Sequence, residues 1–251
     1  MDAKVTVEVD GPIRTVTMNR PEKGNALDAE MLQAMEAAFD PAPGPGDGER
    51  VAVIRSVGRV FCSGLDLTGG LGRDQNVETL FDRVQSWPLP VVAAVQGAAI
   101  AGGNELALHC DFVVASETAR FGMSLAQIGL APSWFLTRKL MEVGGPVLTR
   151  EILLLGDPVP APRMAELGLI ARCVPADDLE DGVAAIVDRL VRNAPLSLRA
   201  MKATIKRQLD HLDLIEHDDV DALIRTAMRS ADAKEGVRAR MERRDPDFTG
   251  R

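Results

Sequence analysis

The sequence at residues 91–111 is VVAAVQGAAIAGGNELALHCD. Its first five residues are apolar and rich in valine, which predicts a buried strand at residues 91–95. A polar break and a run of small residues follow, and residues 104–110 have the composition of an apolar helix. The stretch therefore predicts a strand-to-helix junction at the adjacent glycines Gly102 and Gly103.

This junction has the features of a site for negative charge. Adjacent glycines allow positive φ values and let the backbone approach a ligand closely. The first N–H groups of the following helix have no intrahelical acceptor and lie at the positive end of the helix dipole. They can bind an anion, or an oxygen that becomes anionic during a reaction. Glu105 lies in the first helical turn beside them and is a candidate proton carrier.

Backbone donors beside a carboxylate suggest enolate chemistry, in which the donors hold a carbonyl oxygen while the carboxylate moves a proton. A structural role fits the same residues, since a glycine pair can form a tight corner and a glutamate can complement the helix dipole. A second stretch favours the chemical interpretation. FCSGLD at residues 61–66 places small residues around a glycine, which leaves backbone N–H groups exposed, with Leu65 the natural donor. GGLGRDQN at residues 69–76 predicts either a flexible loop over a site or a plain connector.

The composition excludes several classes of protein. The 251 residues are 46% hydrophobic and 26% charged, which predicts one large domain or one domain with an appendage. A formal net charge of −8 argues against general nucleic-acid binding. The sequence has no apolar run long enough for a membrane span and no secretory signal pattern at its start. The three cysteines form no CxxC pair and the three histidines form no cluster, so we expect no metal site and a reducing cytoplasm.

Strands and helices alternate in the first half of the chain, and helices dominate the second half. We predict strands at residues 5–9, 13–18, 51–55, 91–95 and 112–115. We predict helices at residues 28–39, 77–87, 104–110, 134–142, 147–155, 161–167, 179–193, 196–210, 214–230 and 234–243. This order indicates an α/β core of βαβ units. The helical tail either packs on that core or mediates contact between subunits.

Several spaced motifs together resemble the crotonase superfamily of enoyl-CoA hydratases and isomerases. They are NAL at residues 25–27, FCSGLD at 61–66, the stretch at 97–111, FG at 121–122 and RRDPDFTGR at 243–251. The resemblance covers nearly the whole chain. It implies an α/β, crotonase-like spiral of ββα repeats, with an acyl-CoA-binding core at residues 1–194 and a helical trimerisation region at residues 195–251. It also implies a homo-trimer or dimer of trimers that uses no cofactor beyond the coenzyme A of its substrate.

The resemblance further assigns roles to individual residues. The carbonyl of an acyl-CoA thioester would lie between the N–H of Leu65 and the N–H of Gly102, with Glu105 as the acid or base. The residues bordering coenzyme A would be Lys23, Asn25, Ala26, Cys62, Ser63, Gly64 and Asp66. The candidate phosphate partners are Arg20, Lys23 and Arg59, with Lys202, Lys206, Arg207, Arg243 and Arg244 as weaker candidates across a subunit boundary. The candidate acyl-pocket residues are Leu125 and Trp134, with Met123 and Phe135 beside them.

The sequence departs from the family at one important position. Hydratases of this family use two glutamates, and Leu125 stands where the second is expected, three residues after the glycine of the FG motif. Leucine can neither take nor give a proton. Three possibilities follow: Glu105 alone supports hydration or a double-bond shift, the site carries out another enolate reaction such as decarboxylation or thioester hydrolysis, or the protein binds acyl-CoA without turnover.

Four further residues near the candidate site invite interpretation. His109 shares a helix face with Glu105, so it either tunes Glu105 or packs in the interior against a backbone group, and we favour interior packing. Ser124 and Gln127 flank Leu125 and are candidates to hold a water. Cys62 is disfavoured as a nucleophile, because it has no histidine near it in the sequence and its turn requires small residues.

Overall fold

The computed structural model of the protein describes residues 3–67 and 76–251. The predicted loop at residues 69–76 lies outside the described residues, except for Asn76. The strands are β1 (Val5–Asp10), β2 (Ile13–Met18), β3 (Val51–Ser56), β4 (Val60–Cys62), β5 (Val91–Val95), β6 (Ala98–Ile100), β7 (Phe112–Ser116), β8 (Arg120–Gly122), β9 (Val159–Pro160) and β10 (Arg172–Val174). The helices are α1 (Ala29–Ala38), α2 (Val77–Ser86), α3 (Gly102–Leu108), α4 (Trp134–Arg150), α5 (Ala161–Glu166), α6 (Leu179–Arg192), α7 (Pro195–Leu209), α8 (Asp218–Arg229) and α9 (Ala231–Glu242).

The described strands form two sheets. The larger has the order β1-β2-β3-β5-β7-β10 and the smaller has the order β4-β6-β8-β9. Each of the pairs β3/β4, β5/β6 and β7/β8 sends its first strand to the larger sheet and its second strand to the smaller one. A helix follows each pair, namely α2, α3 and α4. The predicted spiral of ββα repeats is therefore confirmed.

The apolar run at residues 91–95 forms the central strand β5. All five of its residues are buried, because helices cover both faces of a parallel sheet. Val91, Ala93 and Val95 face the main core of the protein. The residues between them, Val92 and Ala94, pack with α6 on the outer face of the larger sheet. Glycine is required at position 97, between β5 and β6, since a Cβ on Gly97 would lie 1.9 Å from the carbonyl oxygen of Arg59.

The structure corrects several of the predicted elements. The division predicted between helices at residues 134–142 and 147–155 is seen as a break within α4, where Gly145 has the non-helical angles φ 63° and ψ −179° and Pro146 follows it. A π-helical turn at Glu151–Leu155 follows it. The short strands β4, β6, β9 and β10 were not predicted, since two or three residues are too few to show a periodic pattern. The helix predicted at residues 28–39 is confirmed, and the Asp28 side chain caps α1 by accepting from the Met31 N–H at 2.9 Å.

The C-terminal helices contact the core of their own chain. Helix α9 packs against the turn Ala126–Ile128, and it lies so close that a Cβ on Gly236 would come within 2.3 Å of the Ile128 carbonyl. The boundary predicted at residues 194 and 195 and the trimerisation role of the tail stay predictions. Among the described residues, no helix combines the length and the apolar character needed to cross a bilayer.

Candidate active site

A cavity of about 290 Å³ opens beside the glycine pair. Leu65 and Gly102, which the sequence predicts as the two backbone donors, both line it, as does Leu125. The wall is largely apolar and includes Phe81 and Met123. The cavity therefore brings together a hydrophobic surface and the two predicted donors.

The N–H of Leu65 is turned away from its nearest strand partner. Leu27 forms a parallel bridge with Leu65, in which the Leu27 N–H donates to the Gly64 oxygen at 2.8 Å and its oxygen accepts from the Asp66 N–H at 3.0 Å. Both bonds use the neighbours of Leu65, so its own N–H points to the other side. Gly102 is the first residue of α3, where N–H groups have no intrahelical acceptor. Within the described residues, neither donor has a hydrogen-bond acceptor.

The backbones that carry the two donors are in direct contact. A Cβ on Gly64, whose φ is 95°, would lie 3.2 Å from the nitrogen of Gly102 and 3.0 Å from the Cβ of Ala101. Ala101 itself has φ 50° and ψ −116°, a conformation that L-residues rarely adopt. Backbone strain of this kind persists where the surrounding structure fixes it, and it is common at functional sites. Here it directs the first N–H of α3 towards the neighbouring loop and the cavity.

Glu105 is fully buried in the first turn of α3. One carboxyl oxygen accepts from the Asn104 side-chain amide at 3.3 Å, and the other has no partner among the described residues. Burial raises the pKa of Glu105 to about 8, because the ionised form is poorly solvated there. The carboxyl is therefore mainly protonated at neutral pH. Glu105 does not form part of the cavity wall.

His109 packs below Glu105, as the favoured interpretation predicts. Its ring is stacked between Phe81 and Phe135, with centroid distances of 5.2 and 5.1 Å. Its Nδ1 lies 2.8 Å from the backbone oxygen of Glu105 and 3.8 Å from the Oε2 of the same residue. Burial lowers the pKa of His109 well below its ordinary value, so the ring is neutral and Nδ1–H donates to the backbone oxygen.

Comparison with known proteins identifies the fold and the family. A family model described as Enoyl-CoA hydratase/isomerase matches residues 8–251. The chain belongs to the enoyl-CoA hydratase/isomerase family. It is 34% identical over 260 residues to a probable enoyl-CoA hydratase of Rhodobacter capsulatus, with 98% of each chain covered. It is 30% identical to the 2,3-dehydroadipyl-CoA hydratase of Escherichia coli, with 94% of each covered.

Solved structures agree with this assignment. An enoyl-CoA hydratase from Mycobacterium avium subsp. paratuberculosis superimposes with a TM-score of 0.87 at 29% identity, covering 98% of this chain and 99% of that one. A methylmalonyl-CoA decarboxylase superimposes with a TM-score of 0.86 at 23% identity, covering 98% of both chains, and shows the shared fold. The chain is therefore a crotonase-family enzyme that acts on acyl-CoA.

Some of the residues predicted to border coenzyme A lie at the surface, and others are buried. Lys23 and Ser63 are exposed, and Ser63 lines the cavity. Asn25 is fully buried, and its side-chain amide donates to the backbone oxygens of Val57 and Val60 at 3.0 and 2.7 Å. The Asn25 side chain therefore braces the loop from inside, and a border of coenzyme A along the backbone of residues 25–26 stays a prediction. Ala26 is also buried.

Three further residues on this side of the site have structural contacts. Cys62 is fully buried, and burial raises the pKa of its thiol to about 12, so its side chain neither borders coenzyme A nor acts as a nucleophile. The Arg20 guanidinium donates to the Asp66 carboxylate at 2.7 Å and to the Ala26 backbone oxygen at 3.1 Å. Arg20 and Asp66 therefore hold the two loops together, and their roles as phosphate partner and coenzyme A contact stay predictions.

Most of the weaker basic candidates are also engaged. Lys202 donates to Asp111 at 2.6 Å and Lys206 donates to Asp210 at 2.9 Å. Arg244 pairs with Glu235 and Glu242. The exposed residues Arg59, Arg207 and Arg243 stay predictions as phosphate partners.

Of the two predicted acyl-pocket residues, Leu125 lines the cavity and Trp134 does not. Leu125 lines the cavity beside Ser124, whereas the ring of Trp134 is stacked on His217 at a centroid distance of 4.6 Å and lies outside the wall. Gln127 donates to the Leu155 oxygen at 3.1 Å instead of facing the cavity, so it is not placed to hold a water there.

The structure also adds wall residues that sequence patterns did not indicate. Ile224 and Met228 of α8 and Arg240 of α9 line the cavity, as does Glu78 at the start of α2. The sequence predicted only a helix at residues 214–230 for this segment. That prediction does not say which part of the chain the helix covers, so these residues could not be found locally.

Proposed function

We propose that this protein stabilises the enolate of an acyl-CoA thioester in an oxyanion hole formed by Leu65 and Gly102, with Glu105 as the proton carrier of a hydration or double-bond shift. The observation that carries the proposal is the convergence of two free backbone N–H groups on one apolar cavity. Fixed donors in a site with little water stabilise a developing oxyanion strongly, by roughly 3–4 kcal/mol for one donor. The proposed reaction needs no cofactor beyond the coenzyme A of the substrate.

The proposed hydration uses Glu105 for both proton transfers. The thioester oxygen accepts from the two N–H groups, water adds to Cβ, and the protonated Glu105 gives its proton to Cα. The proton released by the added water returns to Glu105, so the carboxyl is regenerated. Because Glu105 is not on the cavity wall, the proposal requires its side chain to turn towards the thioester when the substrate binds.

Decarboxylation is the second candidate, and the apolar wall at Leu125 favours it. Cleavage of the bond between Cα and a carboxylate releases carbon dioxide and leaves its electron pair on the enolate. The oxyanion hole stabilises that enolate, and Cα then takes a proton from Glu105, which is reprotonated by water. This reaction requires no second carboxylate to activate water, and an apolar surface beside the departing carboxylate disfavours its charged ground state.

One pair of assays separates the two candidates. Loss of the enoyl absorbance of crotonyl-CoA measures hydration, and release of carbon dioxide from methylmalonyl-CoA measures decarboxylation. If hydration is faster than decarboxylation, the first candidate is supported. If carbon dioxide release is faster than hydration, the second candidate is supported. Absence of both reactions, with acyl-CoA still bound, would leave a binding role.

We further propose that the protein is cytoplasmic and forms a homo-trimer or a dimer of trimers. Sedimentation of the purified protein measures the mass of the assembly and so tests its oligomeric state.

Gly102→Pro is expected to lower turnover by about 100-fold to 1000-fold, because it removes one donor N–H of the oxyanion hole. Proline is tolerated at the first position of a helix. Gly102→Ala is the matched control. It keeps the N–H, and its Cβ would meet the Gly64 Cα at 3.4 Å and the Leu27 Cδ1 at 3.5 Å, which are ordinary contacts. Steady-state rates with thermal unfolding of both variants test this, and full activity of the folded proline variant would remove Gly102 from the hole.

Leu125→Glu is expected to raise the hydration rate about 10-fold or more, because it places a second carboxyl group on the cavity wall where a water can be activated. Leu125→Gln is the matched control, since it has similar size and polarity but cannot carry the proton. The rates of crotonyl-CoA hydration of the two variants are compared. Equal rates would show that the missing carboxylate is not what limits hydration.

A further inference from the structure

Arg240 brings a positive charge to the acyl cavity. Helix α9 is fixed against the segment after Leu125 by two close glycine contacts. A Cβ on Gly236 would lie 2.3 Å from the Ile128 carbonyl, and one on Gly129 would lie 2.6 Å from the Asp232 oxygen. Arg240 follows Gly236 by four residues, so it lies on the same face of α9. It lines the cavity next to this contact.

The Arg240 guanidinium has no partner in the described part of the chain. Arg238 and Arg244, which lie beside it in sequence, both pair with Glu235, whereas Arg240 has neither an ion pair nor a hydrogen bond there. The other charged residue that the structure shows on the cavity wall is Glu78, and no ion pair joins it to Arg240 within 4.0 Å. Arg240 is also exposed, so it stands where the cavity meets solvent.

We propose that Arg240 selects acyl chains that end in a carboxylate, so that the preferred substrates are coenzyme A thioesters of dicarboxylic acids. This rests on the proposed function, since the thioester must occupy the oxyanion hole. A guanidinium binds a carboxylate through two parallel hydrogen bonds, which is its preferred geometry. At the solvent edge of the cavity, both charges keep part of their hydration, so the cost of desolvation is small.

The position of Arg240 points to the acyl chain instead of the coenzyme A phosphates. Helix α9, which carries Arg240, packs against the turn Ala126–Ile128 and against α8, and Ile128, Ile224 and Met228 of these segments also line the cavity. Ser63 and Leu65, which follow β4, are the wall residues of the segment that the family resemblance assigns to coenzyme A. Glu78 repels a second negative charge, which confines a terminal carboxylate to the Arg240 side.

Calorimetric titration with saturated thioesters tests the proposal without requiring turnover. The ligands are adipyl-CoA and suberyl-CoA, each compared with the monocarboxylic thioester of the same chain length, hexanoyl-CoA or octanoyl-CoA. The native protein is expected to bind at least one dicarboxylic thioester about 10-fold more tightly than its partner, with a preference that weakens at high salt. Arg240→Met, which keeps an apolar stem, is expected to abolish the preference. Arg229→Met, at an exposed position of α8 outside the cavity wall, is expected to retain it.

The other outcomes contradict the proposal in different ways. Equal affinity for both classes of thioester in the native protein would show that Arg240 is a solvated surface residue. An equal loss of affinity for every thioester in Arg240→Met would assign Arg240 to a coenzyme A phosphate. Failure of all four thioesters to bind would overturn the proposed function as well. Turnover of enoyl-CoA substrates without any dicarboxylic preference would leave the proposed function intact and remove only the role of Arg240.

Discussion

Glu105→Gln is expected to lower turnover by about 100-fold to 10,000-fold while leaving acyl-CoA binding nearly unchanged. Glutamine has almost the same shape as glutamic acid, so the buried first turn of α3 and the two backbone donors keep their positions. It cannot exchange the proton that the enolate carbon requires. The measurement combines steady-state rates with calorimetric affinity for a saturated thioester. Unchanged turnover would exclude Glu105 as the acid or base.

The same substitution is expected to change the pH dependence of stability. The pKa of Glu105 is raised from 4.5 in the unfolded chain to about 8 in the fold. Between these values the folded protein keeps a proton that the unfolded chain has lost, so the native free energy of unfolding falls as the pH rises. The slope is about 1.36 kcal/mol per pH unit, or about 3 kcal/mol between pH 5 and pH 7.5.

Glu105→Gln removes this term, so the variant is expected to be more stable than the native protein at pH 8 and similar to it at pH 5. Urea unfolding at both values measures the difference. A constant difference between the two proteins at both values would contradict the assignment of the raised pKa to Glu105. If Glu105 is the proton donor, native turnover also falls above about pH 8 as the carboxyl ionises.

The junction at residues 91–111 could be predicted because an apolar run, a polar break and a glycine pair follow one another directly in the sequence. The buried strand, the break and the helix are all seen as β5, the glycine segment and α3. The three-residue strand β6 between them was missed, since its residues Ala98–Ile100 look like the small residues of a loop. The small residues at 61–66 added the candidate donor Leu65, and the family resemblance added Leu125; both residues line the cavity.

The side-chain contacts of the site that sequence reasoning missed join distant parts of the chain. Arg20 and Asp66 are 46 residues apart, and no sequence pattern indicated the ion pair that joins them. The burial of Glu105 reflects packing around α3 and not its position in a first turn. Arg240 lines the cavity only because α9 folds back onto the turn at Ala126–Ile128. Charge and periodicity along one segment do not contain this information.

Gly103→Ala is expected to destabilise the protein by about 3 kcal/mol or more and to reduce activity at least about 100-fold. A Cβ at this position would lie 2.1 Å from the Cys62 carbonyl oxygen and 2.8 Å from the Cys62 Cβ. The nearest of these atoms belongs to the backbone of β4, so relief requires a shift of β4 or of the start of α3. Either movement changes the spacing of the two donors that these segments carry.

Gly102→Ala is the matched control for this substitution, because the Cβ one residue earlier makes only ordinary contacts. Urea unfolding and thioester turnover of the two alanine variants are compared. Equal stability of both variants would mean that α3 and β4 are not held at the distance seen here. A stable Gly103→Ala protein with low activity would separate the two effects, since a small displacement of a backbone donor lowers the rate even where the fold survives. In the proposed mechanism the first glycine of the pair supplies a donor, and the second sets how closely the two backbones approach.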